Sequence, residues 1–313
     1  MNRTLNGWKG FRSFVKGSFP VKIYLILSFL WYPALESSIF LVYQRPWKPG
    51  AVTVTGILIL FLFLFFIRSA DEIKDYEYDK INNPDRPLIR GEISRGDLWL
   101  YIALAFCLMA AITAPVSFAA WLVFFLDMLY GLFLMWMEKV SKKVKEGTFL
   151  NLFITYPINV GLSLCFTVWV CENTGIVWDF RMIPAVLIFA AGFLFFEFIR
   201  KTAWVKNQKK TLYSNEIGAK GSLFLAVFFG LLGISFAVGT GFTSEPVSLA
   251  LYGIYCIPLI ALVPVGKAMV YCLKFKNNGE KMQTARLGSC GRWYIVALYG
   301  ALVVRGLILA MLG

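Results

Sequence analysis

The chain has 313 residues, of which 58% are hydrophobic and only 16% are charged. Soluble domains carry about 25% charged residues and about half apolar residues, so this composition argues against a soluble globular protein. The formal net charge is +13 and the sequence contains no histidine, which excludes Ser-His-Asp catalysis, Cys-His catalysis and histidine-ligated zinc or haem.

Nine apolar segments are long enough to cross a bilayer as helices, since a hydrocarbon core roughly 30 Å thick needs about 20 helical residues. The predicted spans, in chain order, are Val21–Tyr43, Ala51–Ile67, Leu98–Thr113, Ser117–Met137, Phe149–Val170, Met182–Phe196, Ser222–Val238, Val247–Tyr271 and Trp293–Leu312. Pro115 forms a tight connection after the third span because it cannot continue a helix. The sixth span is predicted to extend through Arg200. The sequence therefore predicts an all-α polytopic membrane protein, with a basic N-terminus over 1–20 and a single transmembrane domain over 21–313.

Lysine and arginine residues are distributed unevenly between the loops. If the N-terminus is cytoplasmic, 27 of the 31 lie in the N-terminal stretch or in cytoplasmic loops, and the exceptions are Arg45, Lys48, Arg181 and Arg305. Cytoplasmic loops are enriched in basic residues, so this distribution supports nine spans and a cytoplasmic N-terminus. Membrane topology and anionic headgroups explain most of the positive charge, and no nucleic-acid partner is predicted.

The second span runs into an acidic segment. Asp71, Asp75 and Asp79 are spaced by four residues, so a helix continued past the membrane would align their carboxylates in one stripe. Like charges at this spacing repel one another, and a hard divalent cation would relieve that repulsion. Mg²⁺ typically binds one or two carboxylates, waters and substrate phosphate oxygens. The alternative is a solvated acidic face with Lys74 and Lys80 as neighbours.

A proline-rich turn follows, with the sequence Pro84-Asp85-Arg86-Pro87-Leu88-Ile89-Arg90-Gly91. Together with Asp71-Glu72-x-x-Asp75-x-x-x-Asp79, it resembles the UbiA superfamily of intramembrane prenyltransferases. The first signature of that family is Asn-Asp-x-x-Asp-x-x-x-Asp, followed by Pro-x-Arg-Pro-[Leu/Ile]-x-x-Gly. Here Asp71 stands for the Asn and Glu72 for the first Asp, and both changes keep oxygen ligands. Nine spans with a cytoplasmic acidic loop after the second also resemble that family's architecture.

The resemblance implies a helical bundle around a central cavity, with Mg²⁺ and the diphosphate of an isoprenyl donor at its cytoplasmic mouth. It implies transfer of the isoprenyl group to an aromatic or other lipophilic acceptor, with Mg²⁺ as Lewis acid and template. The implied metal ligands are Asp71, Glu72, Asp75 and Asp79, and the catalytic candidates are Asp71, Asp75, Asp79 and Arg200. The implied diphosphate-binding residues are Lys74, Arg86, Arg90, Arg200 and Lys201.

The second family motif, an Asp-x-x-x-Asp after the sixth helix, departs from the family pattern. Aligned on Gly218, its two positions fall on Arg200 and Trp204, and Glu197 is the only carboxylate nearby. An Arg and a Lys can hold a phosphate in place of a metal, so Arg200 and Lys201 are candidates for that role. The alternative is that both are topology residues that snorkel at a helix end.

Charged residues within the spans are costly in hydrocarbon and usually face a cavity or pair with one another. The cavity candidates are Asp127, Tyr130, Glu138, Asn151, Glu197 and Tyr213. Two other functions stay open beside prenyl transfer. One is a terpene cyclase, which quenches the carbocation within the same isoprenyl chain, and the other is a non-catalytic or transport protein on the same scaffold. The sequence specifies neither the donor length, the acceptor nor the oligomeric state.

Overall fold

The computed structural model describes residues 3–141, 143–144, 147–207, 211–242 and 249–312. Within these ranges every regular element is helical, and nine segments are long and apolar enough to cross a membrane. The prediction of an all-α, multi-pass membrane protein with nine spans is confirmed. The cytoplasmic N-terminus, the central cavity and the single domain over 21–313 stay predictions. Predicted features outside the described residues are the ends of the domain ranges at 1–2 and 313, the start of the eighth span at Val247 and Ser248, and the basic residues Lys142, Lys145, Lys209 and Lys210.

The helices agree with the predicted spans and extend several of them. In chain order they are α1 Arg3–Gly17, α2 Val21–Val42, α3 Ala51–Lys74, α4 Tyr76–Asn82, α5 Arg95–Thr113, α6 Phe118–Val140, α7 Thr148–Thr155, α8 Pro157–Thr174, α9 Ile183–Arg200, α10 Tyr213–Gly239, α11 Leu249–Tyr255, α12 Leu262–Lys274 and α13 Glu280–Leu312. Two 3-10 helices, Phe180–Met182 and Ile257–Ala261, precede α9 and α12. The sixth span reaches Arg200 as predicted, whereas α13 begins well before the apolar stretch from which the last span was inferred.

Local sequence explains where several helices begin and end. Ser94 caps α5 with a capping box, in which its side chain accepts from the backbone N–H of Asp97 while the Asp97 side chain accepts from the backbone N–H of Ser94, so two terminal donors are satisfied. Ser117 caps α6 after the Pro115 connection. Helix α8 ends at Gly175, which has a φ of 64°, because glycine adopts left-handed backbone at little cost.

The chain divides into two compact units. The first comprises Met1–Tyr32 and Ala51–Lys145. In this unit α3 packs along α5, and the N-terminal helix α1 lies on them. Its core is an aromatic and aliphatic cluster of Phe14, Phe19, Leu88, Ile93, Leu98 and Tyr101. Helix α1 lies within the basic N-terminal stretch and was not predicted, because its charges interrupt any long apolar run.

The second unit comprises Pro33–Gly50 and Glu146–Gly313. Here α9 packs against α10 and α13. The approach of α10 to α13 is close, since the Tyr294 hydroxyl donates to the Gly230 carbonyl at 2.8 Å. Arg305 is 1% exposed and donates to the carbonyl of Ala237 and, at 3.2 Å, to the hydroxyl of Thr240. A buried cation thus caps the C-terminal end of α10, where carbonyl groups lack helical partners.

Candidate metal and diphosphate site

The acidic segment remains nearly helical beyond the end of α3. Asp75 separates α3 from α4, with φ −85° and ψ 8°. Its backbone N–H donates to the Asp71 carbonyl at 2.8 Å, and the N–H of Asp79 donates to the Asp75 carbonyl at 2.8 Å. The four-residue hydrogen-bond repeat therefore passes through the break, and the three aspartates follow one another by about one helical turn.

Lys74 brings three carboxylates together. Its Nζ lies 3.4 Å from Oδ1 of Asp71, 3.8 Å from Oδ1 of Asp75 and 3.4 Å from Oε1 of Glu138 on α6. Lys74 was predicted to bind diphosphate and Glu138 to line a cavity, and the structure puts both in one cluster with two of the predicted metal ligands. Of the three candidates on α6, Glu138 pairs with Lys74, whereas Asp127 and Tyr130 do not.

The surroundings of Asp75 disfavour its charged form. Burial raises the pKa of Asp75 to about 6, and the charges of Asp71, Glu138 and Asp79 add to the increase while Lys74 opposes it. The increase reflects lost hydration of a carboxylate and repulsion between like charges. A cation bound beside Asp75 would favour ionisation and lower that pKa again.

The other two acidic residues of the motif pair with the proline-rich turn. The guanidinium of Arg86 lies 3.9 Å from Oε2 of Glu72 and 3.9 Å from Oδ2 of Asp79. Asn83 also donates to Oδ1 of Asp79 at 2.6 Å. Glu72 and Asp79 are both buried. By contrast, Arg90 pairs with Glu92 on the exposed surface, so the structure does not bring it to this cluster.

The donor set suits a divalent cation held by two carboxylates. Within the described ranges, no group of three or more acidic residues or cysteines is arranged to hold a metal ion. Asp71 and Asp75 nevertheless approach one and the same ammonium group, so both carboxylates can reach a single small cation. Mg²⁺ typically takes one or two carboxylates and completes its shell with waters and phosphate oxygens. The residues present therefore fit Mg²⁺ at Asp71 and Asp75.

The second unit contains a separate charged cluster around Glu197, which is 5% exposed. Arg200 Nε donates to Oε2 of Glu197 at 2.7 Å, Lys201 Nζ lies 2.7 Å from Oε1, and the Tyr213 hydroxyl donates to Oε1 at 3.2 Å. Lys201 also lies 5.2 Å from the centroid of the Tyr213 ring. The two cations predicted to bind diphosphate are thus held by one buried carboxylate, and the cluster has a net charge of +1.

The remaining candidates lie elsewhere on the helices. Asp127 on α6 is 8% exposed, and its Oδ2 has no hydrogen-bond partner among the described residues. Asn151 lies on α7, in the second unit. Sequence reasoning missed Ser18 and Arg68, which contact Glu72. No local pattern marks Ser18, because its partner lies 54 positions away.

Over the described residues, the fold is that of an all-helical membrane protein with nine spans and an acidic segment after the second. No family model matches the chain, and no curated protein matches it in sequence. Among solved structures, an apo UbiA homolog from Aeropyrum pernix K1 is 12% identical with a TM-score of 0.59, and the alignment covers 92% of this chain and 98% of that one. A UbiA homolog from Archaeoglobus fulgidus bound to GPP and Mg²⁺ is 14% identical with a TM-score of 0.54, covering 93% of this chain and 99% of the other.

A third similar structure is described as digeranylgeranylglyceryl phosphate synthase in membranes. It is 15% identical with a TM-score of 0.55, and the alignment covers 96% of this chain and 99% of that one. The chain therefore has the fold of the UbiA homologs over nearly its whole length. The resemblance to the UbiA superfamily, inferred from the acidic segment and the proline-rich turn, is confirmed at the level of the fold.

Proposed function

We propose that this protein is a Mg²⁺-dependent intramembrane prenyltransferase. It would transfer an isoprenyl group from an isoprenyl diphosphate to an aromatic or other lipophilic acceptor. The observation that carries the proposal is the cluster of Asp71, Lys74 and Asp75 in a fold shared with a UbiA homolog bound to GPP and Mg²⁺ and with another structure bound to DMAPP and Mg²⁺. The adjacent Arg86 adds a cation suited to phosphate oxygens.

In this proposal Asp71 and Asp75 hold the metal ion. When bound, Mg²⁺ supplies neutralising charge to the diphosphate. Lys74 and Arg86 donate charge-assisted hydrogen bonds to phosphate oxygens. The C–O bond between the isoprenyl C1 and the diphosphate breaks, and its electron pair leaves with the diphosphate. The acceptor supplies the electron pair of the new bond and releases a proton.

In the second unit, basic side chains rather than a metal ion are the candidates for binding an anion. Glu197 is buried, and it holds Arg200 and Lys201 beside one another. The Arg200 side chain remains 43% exposed, so a ligand can approach its positive charge. We propose that these two residues bind phosphate oxygens where the family pattern has a second pair of aspartates. The distribution of basic residues supports a cytoplasmic location for this chemistry.

Purified protein tests the reaction directly. The protein, in detergent with Mg²⁺, is incubated with farnesyl or geranylgeranyl diphosphate in the presence and absence of a lipophilic extract that contains acceptors. Prenyl transfer predicts Mg²⁺-dependent release of pyrophosphate that requires the extract and yields a prenylated, lipid-soluble product. A hydrocarbon or alcohol formed from the donor alone would identify a cyclase instead. No pyrophosphate release with any donor would refute the enzymatic function.

A further inference from the structure

Glu72 differs from the neighbouring aspartates in how fully protein groups surround it. It is 1% exposed, and its Oε1 accepts a hydrogen bond from the Ser18 hydroxyl at 2.9 Å. Its Oε2 pairs with Arg68, one turn earlier on α3, and lies 3.9 Å from Arg86. One hydroxyl and two guanidinium groups therefore engage this single carboxylate. A hydrated Mg²⁺ ion would have to displace these partners and leave two partly buried cations without their carboxylate, which is costly.

The N-terminal segment is attached to the same region at several points. The carbonyl of Ser18 accepts a hydrogen bond from Arg68 Nε at 3.0 Å, so Ser18 contacts both members of the Arg68–Glu72 pair. On α1, Ser13 donates to Glu92 beyond the proline-rich turn. A Cβ atom added to Gly17 would lie 2.7 Å from the Pro87 ring. Helix α1 is thus fixed against both the acidic segment and the turn that carries Arg86.

Arg86 is positioned by ion pairs with two carboxylates rather than by hydrogen bonds to them. Its distances of 3.9 Å to Glu72 and to Asp79 exceed hydrogen-bond length. Within the described part of the chain, no residue accepts a hydrogen bond from its side chain. The guanidinium has five N–H donors in a planar fork, and 28% of the side chain is exposed. Two buried carboxylates therefore orient a cation whose N–H donors make no hydrogen bond to the described residues and can bind a ligand.

We propose that α1 and Ser18 act as a brace for diphosphate recognition, with Ser18 and Arg68 holding Glu72 and Glu72 orienting Arg86 towards the phosphate oxygens. Glu72 is then a positioning residue, in place of the metal-ligand role that the family resemblance implies for it. This inference rests on the proposed function, because it assumes that an isoprenyl diphosphate binds here. Preorganising an arginine lowers the entropic cost of ordering its side chain when the ligand binds.

Two binding measurements on full-length protein in detergent separate metal binding from diphosphate recognition. The affinity for Mn²⁺, used as a spectroscopic probe in place of Mg²⁺, is measured from the EPR signal of the free ion. The affinity for geranyl S-thiolodiphosphate, an uncleavable donor analogue, is measured by calorimetry with saturating Mg²⁺. The variants are Ser18→Ala, Glu72→Gln and their double variant. Ser28→Ala is the matched control, because Ser28 is also buried, and among the described residues its hydroxyl donates only to the Tyr24 carbonyl of its own helix.

The brace predicts a specific pattern. Ser18→Ala and Glu72→Gln each weaken analogue binding by about tenfold, as expected for losing a hydrogen bond to a charged group, while the Mn²⁺ affinity changes less than about twofold. Ser28→Ala changes neither affinity. Because Ser18 acts through Glu72, the double variant binds the analogue no more weakly than Glu72→Gln alone. Thermal unfolding in the absence of ligand confirms that each variant is folded.

Three results would overturn the inference. Loss of Mn²⁺ binding in Glu72→Gln would make Glu72 a metal ligand. Unchanged analogue binding in Ser18→Ala would remove the brace, and so would additive losses in the double variant. If Glu72→Gln fails to fold, the less disruptive Ser18→Ala variant still tests the inference through its affinity for the analogue. Failure of the proposed function gives a different result, since the wild-type protein would then bind neither Mn²⁺ nor the analogue.

Discussion

Replacing Glu197 with glutamine tests whether the buried charge cluster of the second unit stabilises the fold. Glu197 is the common acceptor for Arg200, Lys201 and the hydroxyl of Tyr213. Glutamine preserves the size of the side chain and one acceptor oxygen, but it removes the negative charge. The variant therefore leaves two neighbouring cations without their carboxylate.

The expected loss of stability depends on how well water can solvate Arg200 and Lys201 once the Glu197 carboxylate is removed. Removing one member of a buried ion pair costs about 3–5 kcal/mol. The Arg200 side chain is 43% exposed and that of Lys201 is 23% exposed, so both can recover part of their hydration. We therefore expect Glu197→Gln to lower the free energy of unfolding by about 2 kcal/mol.

Unfolding of the purified protein in mixed micelles with increasing SDS measures this free energy. Glu216→Gln is the matched control, because Glu216 is exposed and accepts a hydrogen bond from the backbone N–H of Thr148 at 3.2 Å, which a glutamine can also accept. We expect the control to change stability by less than about 0.5 kcal/mol. Equal stability of the two variants would refute the reasoning, since the cluster would then behave as a solvated surface group.

Three further predictions concern the metal site and the helix contacts. Asp75→Asn should reduce Mg²⁺-dependent pyrophosphate release by at least about 100-fold, and release by this variant at the wild-type rate would exclude Asp75 as a metal ligand. Gly56→Ala should destabilise the first unit by about 1–3 kcal/mol in SDS unfolding, because the added methyl group would overlap the Tyr32 ring. The control is Gly266→Ala, which should not lose stability because a Cβ there meets open space. Arg305→Met should cost about 1–3 kcal/mol because buried acceptors lose their donor, and thermal unfolding no lower than that of the wild type would contradict this.

Much of the architecture was predictable because its signals are local. Apolar runs of membrane-spanning length and the uneven distribution of basic residues gave nine spans, and the structure confirms nine such helices among the described residues. The four-residue spacing of Asp71, Asp75 and Asp79 predicted one stripe of carboxylates on condition that the helix continued past the membrane, and the hydrogen-bond repeat across Asp75 meets that condition. Periodicity and hydropathy depend on neighbours a few positions apart, so a single sequence carries them.

Some of the charged residues have partners in distant parts of the chain. Lys74 pairs with Glu138 across 64 positions, and Glu72 bonds Ser18 across 54. Neither pair has a spacing rule that would identify it in advance, because helix packing determines which side chains meet. The sequence by itself therefore determined the membrane-spanning helices and the composition of the acidic motif. Only the tertiary structure decided that Glu138 joins Asp71 and Asp75 at Lys74 and that Ser18 and Arg86 join Arg68 around Glu72, because desolvation and ion pairing act on neighbours in space.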